Sequence, residues 1–532
     1  MKPQAKNYKF IQLSKFKTQK VLGGLFSVLS CTRRNTFVGM TPSIILVCIA
    51  LYFMGLLSIS WFTAKESNND SYFTGNHQSP WYVVAFGMIG DSLSGVTFIS
   101  LPGTILTGQF GYLQMVFGYV VGYFVIARLL LPLYYKLNLT SIYSYLFERF
   151  GAYSQKTGSF YFLISRIIGA ALRLFLAASV LQIFVFDNWS IPFEVSVALI
   201  ILLMLVYTYR GGIKTLVWTD LFQSGFLLLA VILSIYTIFN QLGWGVLEGV
   251  KQVASSSYSK VFFTDWHEKN YFLKQFLSGA FITIVMTGLD QNMMQKNLSC
   301  KSLPEAQKNM YSFGAIVLLV NLFFLSLGAL IYLYVSAKGI ALPMNELTQN
   351  VQTDKVFPML ALNHLGLFAA LVFIIGLTAA TFNSADSVLT TLTTSFCIDF
   401  LGFDTNPQIS EKKKTYMRHL VHVVFALILW VAIVLSRQLN QTSVLDAIFT
   451  IAAYTYGPLL GLFAFGLFSK RLVNDKWVPL VSVIPPALCY LLYVNAADWF
   501  YGYKFGYELL LLNGLFMYTL LWLNSKKNRL TH

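Results

Sequence analysis

The chain has 532 residues, of which 56% are hydrophobic and only 11% are charged, whereas a soluble globular protein normally carries about 25% charged residues. This composition excludes a soluble domain, because the polar residues are too few to cover the surface of so long a chain. The net charge of +16 would suit a nucleic-acid-binding protein, but the basic residues cluster in short segments between apolar runs, which indicates a membrane protein instead.

Apolar segments recur along most of the chain. A helix needs about 20 apolar residues to cross a bilayer. On that measure we predict an all-α integral membrane protein with about 13 transmembrane helices. The predicted spans are residues 42–62, 81–106, 112–134, 159–184, 192–209, 216–239, 272–295, 312–335, 365–398, 418–436, 441–468, 477–494 and 506–524.

The first span follows a basic N-terminal extension, residues 1–41, which contains eight Lys or Arg residues and no acidic residue. We interpret this extension as a product of a mis-assigned start codon, with Met40 as the true start and residues 1–39 untranslated. A fourteenth element is the alternative, although its apolar run, residues 21–31, is too short to cross a bilayer.

The second span contains a run of small and polar residues from Gly87 to Thr97, including three glycines and Asp91. Glycine weakens a helix by about 1 kcal/mol, and hydroxyl groups can satisfy the backbone groups that a break releases. We therefore predict a broken helix whose carbonyls can bind a cation and whose half-helix end can face an anion. Close packing of small residues against a neighbouring helix is the alternative.

Arg173 and Asp220 are charged residues inside later spans and are candidates for function. Arg173 lies near the middle of span 159–184 and must find an anion or water there. That anion is either a substrate carboxylate or one of the internal acids, Asp91 or Asp386. Asp220 follows a Gly-Gly turn and enters span 216–239 by about one turn, so it is either functional or a helix cap.

The ninth span, 365–398, places Asn383, Asp386, Ser387 and Thr390 at positions i, i+3, i+4 and i+7 of one helical face. All four side chains carry oxygen, and a hard-oxygen set with few carboxylates suits a monovalent cation such as Na⁺. The alternative is that the hydroxyls bond back to their own helix while the aspartate finds a partner elsewhere.

Loop charges predict the orientation of the chain. One set of loops, which includes Lys296 in loop 296–308 and the C-terminal segment 526–529, is richer in Lys and Arg than the opposite set. Because basic loops stay in the cytoplasm, we predict a cytoplasmic C-terminus.

These segments, in this order and spacing, resemble the sodium/solute symporter family over about residues 42 to 470. The resemblance rests on the broken second span, on the Asn383–Ser387 segment and on four connecting motifs. These motifs are the segments Asp70 to Trp81, Leu131 to Gly151, Tyr209 to Asp220 and Gly288 to Ser302.

The resemblance implies a LeuT-type fold, in which an inverted repeat of five plus five helices follows one leading helix and precedes two trailing ones. The leading helix would be 42–62, the repeats 81–239 and 272–468, and the trailing pair 477–524.

The resemblance also implies which residues bind Na⁺. The primary sodium site of the family would fall on the backbone carbonyls of Gly90, Leu93 and Ala380 and on the side chains of Asn383 and Ser384. A second site, found in some sialic acid transporters, would fall on Asp220, Asn383, Asp386 and Ser387.

The substrate residues follow from the same resemblance. Ser92, Ser94, Thr97 and Arg173 match the hydroxyls and the arginine that hold a carboxylate in the sialic acid branch. Thr283 stands where a galactose-transporting member has an asparagine, which argues against a galactose pocket.

The function predicted from the sequence is sodium-coupled import of a small, carboxylate-bearing organic solute through a bacterial inner membrane. The expected partners are the solute, Na⁺ and the lipid bilayer, with no nucleic acid, no obligate protein partner and no enzymatic chemistry. A neutral sugar or polyol substrate is the alternative, in which an internal acid neutralises Arg173, and a transporter-like sensor is the remote one.

Overall fold

The computed structural model describes residues 42–63, 68–345, 349–406, 408–437, 444–501 and 503–526. The predicted extension 1–41, with its alternative start at Met40, lies outside the described residues. So does the end of the C-terminal segment 526–529.

Helices cover each of the predicted spans in the described part of the chain. The helices of the first half are α1 (Pro42–Thr63), α2 (Asn69–Thr74), α3 (Trp81–Ser92), α4 (Gly95–Gly108), α5 (Tyr112–Val125), α6 (Leu131–Lys136), α7 (Ser144–Arg149), α8 (Ala152–Phe184), α9 (Phe193–Leu242) and α10 (Val246–Ser255). Those of the second half are α11 (Phe272–Thr283), α12 (Gln291–Leu298), α13 (Leu303–Lys338), α14 (Thr353–Asn363), α15 (Gly366–Ser395), α16 (Glu411–Ser436), α17 (Val444–Phe468), α18 (Val478–Val494), α19 (Ala496–Trp499) and α20 (Leu509–Leu523). A short antiparallel pair joins β1 (Leu472–Val473) to β2 (Ser525–Lys526), with Leu472 opposite Lys526.

By length and composition, nine of the described helices can cross a membrane, and ten can if the bent pair α11–α12 counts as one span. The shorter apolar helices Phe193–Tyr209 and Leu509–Leu523 fall below that length. The predicted total of about 13 includes these two segments, and it counts the continuous stretch Gly95–Lys136 as parts of two spans.

Three helical stretches of the described chain are interrupted. The helix pair α3–α4 is broken at Leu93 and Ser94, where the backbone leaves helical geometry. The pair α11–α12 bends by 64° after a π-helical turn at Ile284–Gly288. Helix α9 is kinked at Gly212, whose φ of 51° is costly for residues other than glycine.

The interrupted helices meet around α15. Helix α15 packs against α9, and α3 packs against α9 and α15, while α12 contacts all three. The α15 segment from Thr378 to Ser395 is buried although it is rich in Thr, Ser, Asn and Asp. Polar groups buried at this depth need partners within the protein, so the candidate site lies where these four helices meet.

Candidate ion and substrate site

The break between α3 and α4 exposes backbone groups beside α15. Leu93 ends α3 with φ −108° and ψ 71°, and Ser94 precedes α4 with φ −69° and ψ 178°. The last carbonyls of a helix have no partner inside it. The structure therefore confirms the predicted broken helix and places the break between Gly90 and Gly95 rather than at either glycine.

Asn383 lies directly over Gly90. A methyl group on Gly90 would come within 2.6 Å of Oδ1 of Asn383, so an alanine here would force this side chain to shift. The Asn383 amide donates to the backbone carbonyl of Asp220 over 3.2 Å, and its Oδ1 has no partner among the described residues. A buried amide oxygen that accepts no hydrogen bond can serve as a ligand for a cation such as the Na⁺ predicted from the sequence.

The other α15 members of the predicted primary site are Ala380 and Ser384. The Ser384 hydroxyl donates to the carbonyl of Thr381 over 3.2 Å and weakly to that of Ala380 over 3.5 Å. Thr381 likewise bonds back to Leu377 over 2.6 Å. Several hydroxyls of this face therefore return to their own helix, as the alternative interpretation expects, whereas the Asn383 amide bonds to α9.

At the predicted second sodium site, the structure contains a lysine side chain. The ammonium of Lys296 lies among its residues, 2.5 Å from Oδ2 of Asp220 and 2.8 Å from Oγ of Ser387. The same ammonium pairs with Asp91. Lys296 is only 1% exposed, so its assignment to a cytoplasmic loop was wrong. A sodium ion cannot share this position with a charged amine.

Another residue of that predicted site, Asp386, forms hydrogen bonds with groups other than Lys296. Its Oδ2 accepts from the Tyr207 hydroxyl over 2.7 Å, and its Oδ1 accepts from the backbone N–H of Ser387 over 2.6 Å. Asp386 therefore has its own hydrogen-bond partners within the described residues.

Asp220 is not a helix cap. It lies eight residues beyond the kink at Gly212, which is about two turns into the second part of α9. Its side chain is fully buried, and neither of its carboxylate oxygens accepts an aligned hydrogen bond from the described residues. The contact with Lys296 is thus an ion pair.

A cavity beside the broken helix brings the predicted substrate residues together. Its empty space is about 670 Å³ when the part open to solvent is included. Tyrosines and apolar side chains complete the wall. All five predicted substrate residues line the cavity, namely Ser92, Ser94, Thr97, Arg173 and Thr283.

Two arginines line this cavity, and they differ in their bonding partners. Arg166 pairs with Asp290 through Nε and Oδ2 at 2.6 Å, and Tyr456 donates to the same carboxylate. Arg173 has no ion pair within the described structure, and its buried Nε has no hydrogen-bond partner there. The internal acids proposed as its alternative partners, Asp91 and Asp386, are bonded elsewhere.

The sequence interpretation missed Lys296, Arg166 and Asp290. The predicted span 272–295 ended one residue before Lys296, whereas the chain bends and continues as α12. The sequence did carry a signal for such partners. Several acidic residues lie inside predicted spans, and a buried carboxylate requires a partner.

The family model described as the sodium:solute symporter family matches residues 72–476. The chain belongs to the sodium:solute symporter family. The match spans every helix around the site from α3 to α17. Membership makes the protein a sodium-coupled membrane transporter rather than an enzyme, as expected from the sequence.

Several relatives of this symporter are similar over most of their length. The sodium/sialic acid symporter NanT of Aliivibrio fischeri is 25% identical over 469 residues, covering 86% of this chain and 89% of that protein. The sodium/sialic acid symporter SiaT of Proteus mirabilis is 25% identical over 422 residues, covering 77% and 82%. Human sodium-coupled monocarboxylate transporter 1 is 24% identical over 426 residues, covering 76% and 65%.

Among solved structures, a substrate-bound, outward-open Na⁺-coupled sialic acid symporter superimposes with a TM-score of 0.76 at 21% identity. The superposition covers 91% of this symporter and 99% of that chain. This likeness confirms the predicted LeuT-type fold.

Proposed function

We propose that this symporter imports a small organic solute that carries a carboxylate, and that sialic acids are the first candidates. The observation that carries the proposal is the guanidinium of Arg173 in the wall of the cavity, whose Nε has no hydrogen-bond partner among the described residues. A guanidinium in the wall of a cavity can bind an anion, and a carboxylate offers it paired, parallel hydrogen bonds. The similar transporters from bacteria and human are named for sialic acid or monocarboxylate, which are all carboxylates.

The hydroxyl-bearing residues of the cavity suit the remainder of such a solute. Ser92, Ser94 and Thr97 lie at or just after the break between α3 and α4, and Thr283 lines the same cavity from α11. Hydroxyl groups donate and accept hydrogen bonds, so they can bind a polyhydroxylated sugar acid. We assign these four residues and Arg173 to the solute.

We place the transported Na⁺ at the primary site between the broken helix and α15. Its ligands are the carbonyls of Gly90, Leu93 and Ala380, the free Oδ1 of Asn383 and the hydroxyl of Ser384. The contact of Asn383 with Gly90 supports this placement, because it brings α15 against the released end of α3. The site contains no carboxylate, in keeping with a monovalent ion.

Transport follows an alternating-access cycle in a bacterial inner membrane, with the C-terminus in the cytoplasm. Na⁺ stabilises the outward-open state, the solute binds next, and the two predicted repeats, 81–239 and 272–468, rock to release both inside. Each repeat contains an interrupted helix near its start, α3–α4 and α11–α12, as expected for a midplane site between repeats.

Uptake into proteoliposomes tests the proposal. Purified protein is reconstituted and offered labelled sialic acid, a short monocarboxylate, galactose and a polyol, with and without an inward Na⁺ gradient. We expect the carboxylates alone to accumulate, and only with the gradient. Preferred uptake of a neutral sugar would contradict the solute assignment, and uptake indifferent to Na⁺ would contradict the coupling.

A second measurement tests the sodium placement. Ser384→Ala removes a proposed sodium ligand and two weak helix contacts, so the Na⁺ concentration for half-maximal uptake should rise several-fold. Thr378→Ala is the matched control, because Thr378 also bonds back to its helix, over 2.7 Å to Ile374, but is not a proposed ligand. Equal effects of the two substitutions would remove Ser384 from the site.

A further inference from the structure

We propose that the ammonium of Lys296 is a built-in substitute for a second sodium ion, so that this symporter binds one Na⁺ per transport cycle. The proposal rests on the sodium coupling and on the primary sodium site proposed above. It concerns the number of ions, not the identity of the solute.

The first step of the argument is the set of groups around the ammonium. Lys296 extends from α12 and contacts Asp91 of α3, Asp220 of α9 and Ser387 of α15. The oxygens come from three helices and include two carboxylates and one hydroxyl. Hard oxygens from several helices around one positive charge are also what a Na⁺ site requires.

The second step is the overlap with the position of a second cation. Asp220 and Ser387 belong to the four residues that the family resemblance assigns to a second sodium site, and Lys296 bonds both. A lysine ammonium and a sodium ion carry the same unit charge. Two such charges within one contact shell repel strongly in a site of low dielectric constant, so the amine excludes the ion.

The third step is the positive charge that Lys296 supplies. Among the described residues, its ammonium is shared by two carboxylates, Asp91 and Asp220. Asn292 also donates to Asp91, over 3.2 Å. The third acid on this side, Asp386, is held by Tyr207 and the Ser387 amide. A buried acid that lost Lys296 would be uncompensated, and an incoming Na⁺ is the simplest replacement.

The remaining step is the separation of this position from the primary sodium site. Asn383 contributes to both predicted sites, but in the structure its amide donates to the backbone of Asp220 and not to a side chain of the lysine cluster. Its Oδ1 stays free for the primary ion. The tethered amine therefore occupies one position and leaves the other available.

The experiment counts sodium ions directly. Equilibrium binding of ²²Na⁺ to the purified protein is measured without solute, alongside the Na⁺ dependence of uptake in proteoliposomes. We expect one ion per wild-type chain and a Hill coefficient of about 1, because the coefficient cannot exceed the number of sites. A wild-type count of two, or of none, overturns the proposal.

Two substitutions of Lys296 test whether its charge determines the number of bound sodium ions. Lys296→Met removes the charge and retains the length of the side chain, so this variant should bind two ions and raise the Hill coefficient to about 2. Lys296→Arg keeps the charge and should still bind one. A folded Lys296→Met protein that binds one ion overturns the proposal, and the wild-type count decides if that variant fails to fold.

Because ²²Na⁺ binding needs no solute, the two proposals fail separately. If no carboxylate is transported while the wild-type protein binds one ion, the solute assignment fails and the ion count stands. If carboxylates are transported while the wild-type protein binds two ions, the reverse holds.

Discussion

Arg166 and Asp290 form a buried ion pair, with 2.6 Å between Nε and Oδ2, beside the cavity that Arg166 and Arg173 both line. The pair joins α8 to the N-cap residue of α12, and the Asp290 carboxylate caps this helix by accepting from the Met293 N–H over 3.2 Å. One carboxylate therefore holds a guanidinium, caps a helix and fixes the bend after the π-helical turn.

Asp290→Asn should lower the stability of the protein strongly. Removing one partner of a buried ion pair typically costs about 3–5 kcal/mol, because the other charge stays buried without compensation. Thermal unfolding of the detergent-solubilised protein, followed by intrinsic fluorescence, measures the effect.

A double variant, Arg166→Met with Asp290→Leu, removes both charges and should recover much of the lost stability. If Asp290→Asn unfolds at the same temperature as the wild-type protein, the ion pair between Arg166 and Asp290 does not contribute to stability.

Arg173→Gln should weaken the binding of a carboxylate solute. A hydrogen bond to a charged group is worth about 1.5–3 kcal/mol, so the KM for uptake should rise roughly 10- to 100-fold. Half-maximal Na⁺ should change far less, because Arg173 is not a proposed sodium ligand.

The matched control for Arg173 is Arg128→Gln. Arg128 is exposed and donates to the Tyr311 hydroxyl over 2.7 Å, and it does not line the cavity. Its substitution should leave the KM within a factor of about two, as is usual for exposed residues outside special contacts. A similar rise in KM for both variants would contradict the role of Arg173.

Gly90→Ala should impair sodium-coupled uptake. The added methyl group would press on the Asn383 amide and move the free oxygen that we assign to Na⁺. We expect half-maximal Na⁺ to rise at least tenfold, measured by uptake at fixed solute concentration.

Gly225→Ala provides the comparison for that substitution. Gly225 also lies in a helix, α9, and a methyl group there would meet no side chain or neighbouring backbone within 4 Å. Alanine stabilises helices relative to glycine by about 1 kcal/mol, so this variant should retain uptake. Normal Na⁺ dependence in Gly90→Ala would place the ion elsewhere.

Asp354, in α14 outside the membrane-spanning helices, should make stability depend on pH. Burial raises the pKa of its carboxyl from 3.8 to about 6, even though the Val444 N–H donates to it over 3.2 Å. Because the folded-state pKa is the higher one, the stabilising contribution of the protonated form is complete below about pH 4. It is lost as the pH rises through about 6.

The wild-type protein should therefore lose stability between pH 4 and pH 7 relative to Asp354→Asn, which cannot ionise. The difference should be on the order of 3 kcal/mol, at about 1.4 kcal/mol per pKa unit. Unfolding temperatures of both proteins across this pH range measure it. Parallel profiles would show that Asp354 ionises as freely as an exposed carboxyl.

Local sequence patterns were sufficient for features that depend on one segment. The break near Leu93 follows from glycines and hydroxyls within one span, and the polar face of α15 follows from the helical repeat. The resemblance to a family allowed residues on three different helices to be assigned to one site, and Ser92, Arg173 and Thr283 do line one cavity.

Partners that come from distant segments could not be found in this way. The periodicity of α15 shows that Asp386 and Ser387 face inward, but not that Tyr207 binds the first and Lys296 the second. The rule that places lysines in cytoplasmic loops assigned Lys296 to the wrong environment, because the bend after Gly288 carries the chain back into the core. Such contacts depend on the packing of helices far apart in sequence.

The tethered amine of Lys296 also bears on the electrical behaviour of transport. An amine fixed to the protein stays behind when the cargo is released, so the cargo under both proposals is one Na⁺ and one carboxylate anion. Their charges cancel, and a membrane voltage would then neither drive nor oppose the loaded step. The solute gradient that this symporter can build would depend on the sodium gradient alone.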